Sequence, residues 1–220
     1  MTSVVITAAG NSNRFGSDKL MALLAGKPVL VRTLVQFHQS SKVDEIVVAV
    51  KKEETKIYEK LIEKEGLKAK IVEGGPERIV SAYNATVATK GEIIITHDGN
   101  RPLTPVWLIE KLIEETKKYG AAMTAIPPIA TIKYAEDYII KESLPRANTW
   151  IAQTPQGFKR ELIMRAYEKA IKEKYFVPTD DSELVTRLGE KVRIVPGDPV
   201  NIKITYPSDL VIAERLFENV

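Results

Sequence analysis

What most constrains this chain is a rhythm in which short β-branched runs alternate with longer amphipathic stretches. Residues 4–8 precede a helical pattern over 29–39, residues 45–50 precede 54–65, and residues 69–73 precede 78–88. Short runs that are apolar throughout suit strands covered on both faces, and parallel neighbours must be joined by a crossover helix. Residues 92–96, EIIIT, form the most apolar run and end in HDGNRP; a helix over 105–119, which Gly120 can cap, and a strand over 121–126 continue the layer. The expected fold is therefore α/β, a doubly wound and mostly parallel sheet in a single domain spanning 1–220.

The rhythm breaks at about 127–152. Pro127-Pro128 and the apolar runs at 129–132 and 138–140 predict short strands in an arm that leaves the main sheet. Such an arm exposes edges and apolar residues, which a second copy of the chain could cover. Beyond it the sequence predicts a loop at QTPQGF, a helix over 160–174, a second helix opened by PTDDSE, a strand over 192–195, and a terminal helix from Pro207. In NIKIT, period-2 alternation places Lys203 on the face opposite Ile202 and Ile204.

Composition narrows the function classes. With 220 residues and 44% hydrophobic content the chain can bury a sizeable core. Lys and Arg number 32 against 29 Asp and Glu, a net charge of +3, too balanced for binding nucleic acid or an anionic membrane through the whole surface. There is no Cys, so thiolate metal sites, disulfides and Cys nucleophiles are excluded. No apolar stretch approaches the roughly 20 residues that span a bilayer, and no signal peptide is evident, so a cytoplasmic location is expected.

Chemistry concentrates where strands give way to loops. TAAGNSNRFGSDK follows the first strand, and its small residues Ala8, Ala9, Gly10 and Asn11 let backbone N–H groups approach a phosphate while Arg14 and Lys19 supply charge. It is neither a Walker loop nor a dinucleotide fingerprint, and an ordinary turn with solvated bases is the plainer reading. Asp98 ends the apolar fourth strand, where a carboxylate can accept from a ribose hydroxyl, help hold Mg²⁺, or cap the next helix. His97 beside it is expected to be structural, because only two His occur and no third catalytic partner is in view.

Taken together, AAGNSNRFGSDK with GKPVL, GGPERIVSAYNA, HDGNRP, AQTPQ and NIKITYPSDL resemble the Rossmann-like nucleotidyltransferases, and within them the CTP-dependent cytidylyltransferases that serve isoprenoid-precursor synthesis. The resemblance covers almost the whole chain. It implies that Arg14 and Lys19 clamp the triphosphate, with Ala8, Ala9, Gly10, Asn11 and Asp98 around the nucleotide and Mg²⁺ as cofactor. It implies that Gly75, Arg78 and Ser81 form the cytosine pocket. Arg101, Thr131, Arg146, Thr179 and Lys203 would bind a polyol phosphate across a homodimer, the arm supplying Thr131 and Arg146 and the partner supplying Arg101 and Thr179. Ser12, Phe15, Asp18 and Gly99-Asn100 depart from that pattern. The first loop alone is similar to the molybdenum-cofactor nucleotidyltransferases. A ribitol-phosphate nucleotidyltransferase and a non-catalytic nucleotide-binding regulator are also compatible with these motifs.

Overall fold

A computed structural model describes residues 1–10, 14–178 and 180–218. The chain runs through β1 (Thr2–Thr7), β2 (Leu23–Leu24), β3 (Lys27–Pro28), α1 (Val29–His38), β4 (Glu45–Val50), α2 (Thr55–Lys64), β5 (Lys70–Glu73), α3 (Arg78–Val87), β6 (Ile93–Asp98), α4 (Val106–Tyr119) and β7 (Ala121–Ile126). It continues with β8 (Lys133–Glu136), β9 (Ile139–Ser143), β10 (Ile151–Lys159), α5 (Arg160–Lys172), α6 (Asp181–Thr186), β11 (Arg193–Pro196) and α7 (Pro207–Phe217).

Seven strands form the main sheet in the order β11-β7-β10-β6-β1-β4-β5. Only β10 runs antiparallel, to both β6 and β7. Alternation along β1 explains why both faces need cover. Val4 and Ile6 pack with Leu34 and Phe37 of α1 and Leu108 and Leu112 of α4, whereas Val5 faces Ile79 and Ala82 of α3 and Ile163 and Tyr167 of α5. Each such fully buried side chain contributes roughly 1.5–3 kcal/mol, well above the 0–1 kcal/mol typical of a surface ion pair, so packing rather than charge fixes the layers. Gly120 ends α4 at φ +86°, in the left-handed region, as its expected cap role requires.

From β1 the chain moves outward through β4 and β5, then crosses back to β6 on the other side of β1. The order therefore reverses between β1 and β6, where open α/β sheets form their ligand crevice. Thr7 pairs with Asp98 in the β1–β6 register, so both residues reach that crevice together.

Three expectations are corrected. QTPQGF is part of strand β10 rather than a loop, and Pro155 is accommodated where the β7–β10 register shifts between Ala152 and Gln156. NIKIT forms no strand. It is an extended segment tied by Ile204 N–H to Asn100 O at 2.9 Å, and Ile204 is buried while Lys203 remains exposed, so the predicted alternation of faces survives. The arm is a β8–β9 hairpin whose strands begin later than expected. Asp137 and Tyr138 both have positive φ and make a two-residue turn, pairing Glu136 with Ile139 and removing Tyr138 from the strand.

Candidate active site

The first loop leaves β1 through Ala8, Ala9 and Gly10, whose small side chains leave the floor of the crevice open. Arg14 and Lys19 return to the same crevice from further along that loop. On the far wall stand Gly75, Arg78 and Ser81 from the β5–α3 junction, and Asp98, Asn100 and Lys203 complete an open cleft of about 240 Å³. Asn11 and Thr179 lie outside the described residues.

Charge is distributed unevenly here. Among the described lining residues, the cations Arg14, Lys19, Arg78 and Lys203 face the carboxylates Glu77 and Asp98. Lys203 Nζ is 2.9 Å from Asp98 Oδ2, and Arg101 Nε reaches the same oxygen at 3.3 Å. Burial penalises charge on Asp98, but Lys203, Arg78 and Arg101 outweigh it and hold the carboxyl well below the usual carboxylate range. Burial, together with Lys203 and Arg14, lowers the pKa of Lys19. Arg14, Lys19 and Lys203 therefore share one space, and that space favours a polyanion.

Arg78 is fixed from behind. Its guanidinium makes bonds of 2.8 and 3.1 Å to Asp181, a carboxylate with no solvent exposure, while Gln156 Oε1 accepts the N–H groups of Asp181 and Ser182. On the same wall Gly75 N–H donates to Ser81 Oγ at 3.0 Å, and Ser81 O–H has the carbonyls of Gly75 and Glu77 within reach. A Cβ on Gly75 would collide with Cγ1 and Cβ of Val80, so the loop closes this tightly only with glycine.

His97 is structural. It is wholly buried, and burial lowers its pKa from 6.5 to about 3, so the ring is neutral. Asp98 N–H donates to Thr154 Oγ1, whose hydroxyl in turn donates to His97 Nδ1 at 3.0 Å; the proton then sits on Nε2, facing Arg101 O. Asp98 is not a helix cap, since Pro105 precedes α4.

The remaining acceptor residues are scattered in this single chain. Arg101 is 8% exposed, bonded to Asp98 and to Asn201 O, and lies beneath the cleft. Thr131 and Arg146 are exposed in the arm, Arg146 within a single helical turn at Arg146–Asn148, and neither lines the cleft. Sequence reading missed three positioning groups. Asn201 is fully buried and links Thr104, Thr154 and Arg101; Asn100 donates through Nδ2 to Ile204 O; and the Tyr206 ring lies under the Arg14 guanidinium at 5.9 Å. Two departures thereby acquire reasons, for Asn100 clamps the segment carrying Lys203 and Phe15 packs on the Leu24–Val29–Ile204 cluster.

A cation-rich cleft above a strand-order reversal, in a chain without thiols, suits a polyphosphate, and with this fold the chain has the architecture of a nucleotidyltransferase. Residues 2–219 match the family described as IspD, 2-C-methyl-D-erythritol 4-phosphate cytidylyltransferase, and the chain belongs to that family. It is 44% identical over 220 residues to a protein of that name from Caldanaerobacter subterraneus, covering 96% of each chain, and 37% identical over 219 residues to one from Bacillus mycoides, covering 97% of this chain and 96% of the other. Among solved structures it is similar to 4-diphosphocytidyl-2C-methyl-D-erythritol synthase from Anaerococcus prevotii, with a TM-score of 0.88, 32% identity and coverage of 99% and 96% of the two chains. The molybdenum-cofactor reading, which rested on the first loop alone, gives way to a match across nearly the whole chain.

Proposed function

We propose that the cleft above β1 and β6 transfers CMP from CTP to 2-C-methyl-D-erythritol 4-phosphate. An oxygen of the acceptor phosphate bonds to the α-phosphorus of CTP, the bond from that phosphorus to the β-phosphate bridge breaks, and pyrophosphate leaves. The acceptor phosphate is already a dianion near neutral pH, so no side chain need deprotonate it. The chemical problem is repulsion between two anions and charge building on the equatorial and leaving oxygens, which fixed cations relieve.

Arg14 and Lys19 grip the triphosphate and stabilise the transition state, while the backbone of Ala8, Ala9 and Gly10 borders the phosphates. Gly75 and Ser81 recognise the cytosine edge, and Arg78 holds that wall. Lys203 and Arg146 align the acceptor phosphate, with Thr131, Thr179 and Arg101 around it. The observation that carries this reading is the convergence of Arg14, Lys19 and Lys203 with Asp98 in one cleft.

Mg²⁺ fits the donor set as an ion brought with the nucleotide. Asp98 and Glu77 are the carboxylates lining the cleft, no cluster of three or more His, Asp or Glu occurs among the described residues, and Mg²⁺ takes one or two carboxylates plus phosphates and water. Asp98 would hold it, and the ion would neutralise phosphate charge.

The chain acts as one domain with its arm at about 127–152, and pairs as a homodimer through that arm. Ile129, Tyr138, Ile139 and Ile140 stand exposed there, the last two at 63% and 62%, with little cover from the rest of the described chain. No described helix is long and apolar enough to cross a membrane, and a cytoplasmic enzyme is the matching location. Pyrophosphate release tests the reading. It is expected with CTP and methylerythritol phosphate and not with GTP or ribitol phosphate; equal turnover of those substrates would refute it.

A further inference from the structure

Lys19 lies in no helix or strand, yet the proposed chemistry requires its ammonium at a fixed point. Two anchors flank it. On one side, Asp18 Oδ1 accepts Leu20 N–H at 3.0 Å and Asp18 O accepts Met21 N–H at 3.3 Å, closing a tight turn around the lysine backbone. On the other, Leu20 is 5% exposed in the core and its carbonyl accepts Leu30 N–H from α1 at 3.1 Å.

The turn is also tied outward. Asp18 Oδ2 accepts the hydroxyl of Tyr58 at 2.9 Å, and Tyr58, on α2, is 1% exposed and packs among Val48, Val50 and Ile62. Asp18 itself stands at the surface, but each carboxylate oxygen has a partner. Tyr58 does not line the cleft, and among the described residues its hydroxyl bonds to Asp18.

We infer that Asp18 and Tyr58 form a positioning pair for Lys19, holding the ammonium in the cleft against the repulsion of Arg14 and Lys203. This rests on the role proposed for Lys19. A misplacement of about 1 Å at a group acting on the transition state can cost up to about 100-fold, whereas losing one hydrogen bond costs the fold only about 1 kcal/mol. The pair therefore shows in turnover more than in stability.

A double-mutant cycle tests this. Tyr58→Phe removes one hydroxyl at constant shape and is expected to lower kcat about 10-fold with KM for the acceptor unchanged. In a Lys19→Ala background the same change is expected to cost less than about 2-fold, because the group it positions is gone. Asp18→Ala should repeat the pattern with a larger first loss, and guards against a fault peculiar to Tyr58→Phe. A wild-type kcat for Tyr58→Phe, or equal fold losses in both backgrounds, overturns the pair while leaving the role of Lys19 standing. Full turnover by Lys19→Ala alone overturns the role of Lys19 and the pair with it.

Discussion

The cleft and the arm are built on opposite plans. Around the cleft, charged and polar side chains are anchored by buried partners: Arg78 by Asp181, Lys203 by Asp98 and the Asn100 clamp, Arg101 by Asn201. In the arm every residue of β8 and β9 is exposed, and apolar side chains face outward. The contrast is that Arg14, Lys19, Arg78, Asp98 and Lys203 meet in one cleft within a single chain, whereas Thr131 and Arg146 stand exposed in the arm away from it, where the proposed second copy would cover them.

The largest expected effect separates the two regions by stability. Arg78→Ala leaves the buried Asp181 carboxylate unpaired and should destabilise the fold by about 3–5 kcal/mol, while Arg146→Ala in the arm should stay within about 0.5 kcal/mol; denaturant melts of both variants measure the gap, and equal melts would erase the contrast. Next, Arg14→Ala or Lys19→Ala should lower kcat by about 100-fold with the melting temperature kept. Near-normal turnover in both would remove the clamp.

Arg146→Ala should instead raise KM for the acceptor by about 10-fold and leave KM for CTP alone, as one lost charge-assisted hydrogen bond predicts. A change confined to CTP would place Arg146 with the wrong substrate. A further effect, small near neutral pH, concerns acid. Unfolded His97 binds its proton near pH 6.5 but the folded ring only near about 3, so between those values the unfolded state holds more protons and stability rises with pH. Asp98, with its folded pKa depressed, adds a loss of the same sign at lower pH. A melting temperature that falls as pH drops below 6.5 is expected, and His97→Asn should flatten the upper part of that slope.

The sheet was legible because its strands are written in β-branched runs such as Glu45–Val50 that have no other use. Strand β10 was not, because Gln153, Thr154 and Gln156 are buried polar residues whose partners lie 25 to 57 residues away in sequence. Hydropathy has no way to see such a strand. Lys203 shows a mixed case, since alternation placed its side chain correctly although the segment joins no sheet. The hairpin register escaped because Asp137 and Tyr138 adopt positive φ without a glycine to announce it. The motifs singled out Arg14, Lys19, Gly75, Arg78, Ser81, Asp98 and Lys203, which line one cleft, whereas the contacts of Asn100, Asn201 and Tyr58 are not encoded in spacing.

Convergence of distant cations is the central physical claim, and the titration of Lys19 reports it directly. NMR of isotope-labelled lysine methylene groups, read in the wild type and in Lys203→Ala, should place the pKa of Lys19 below the ordinary 10.5 and move it upward when Lys203 is removed. A Lys19 that titrates at 10.5 in both proteins would mean that the two lysines do not share a cleft.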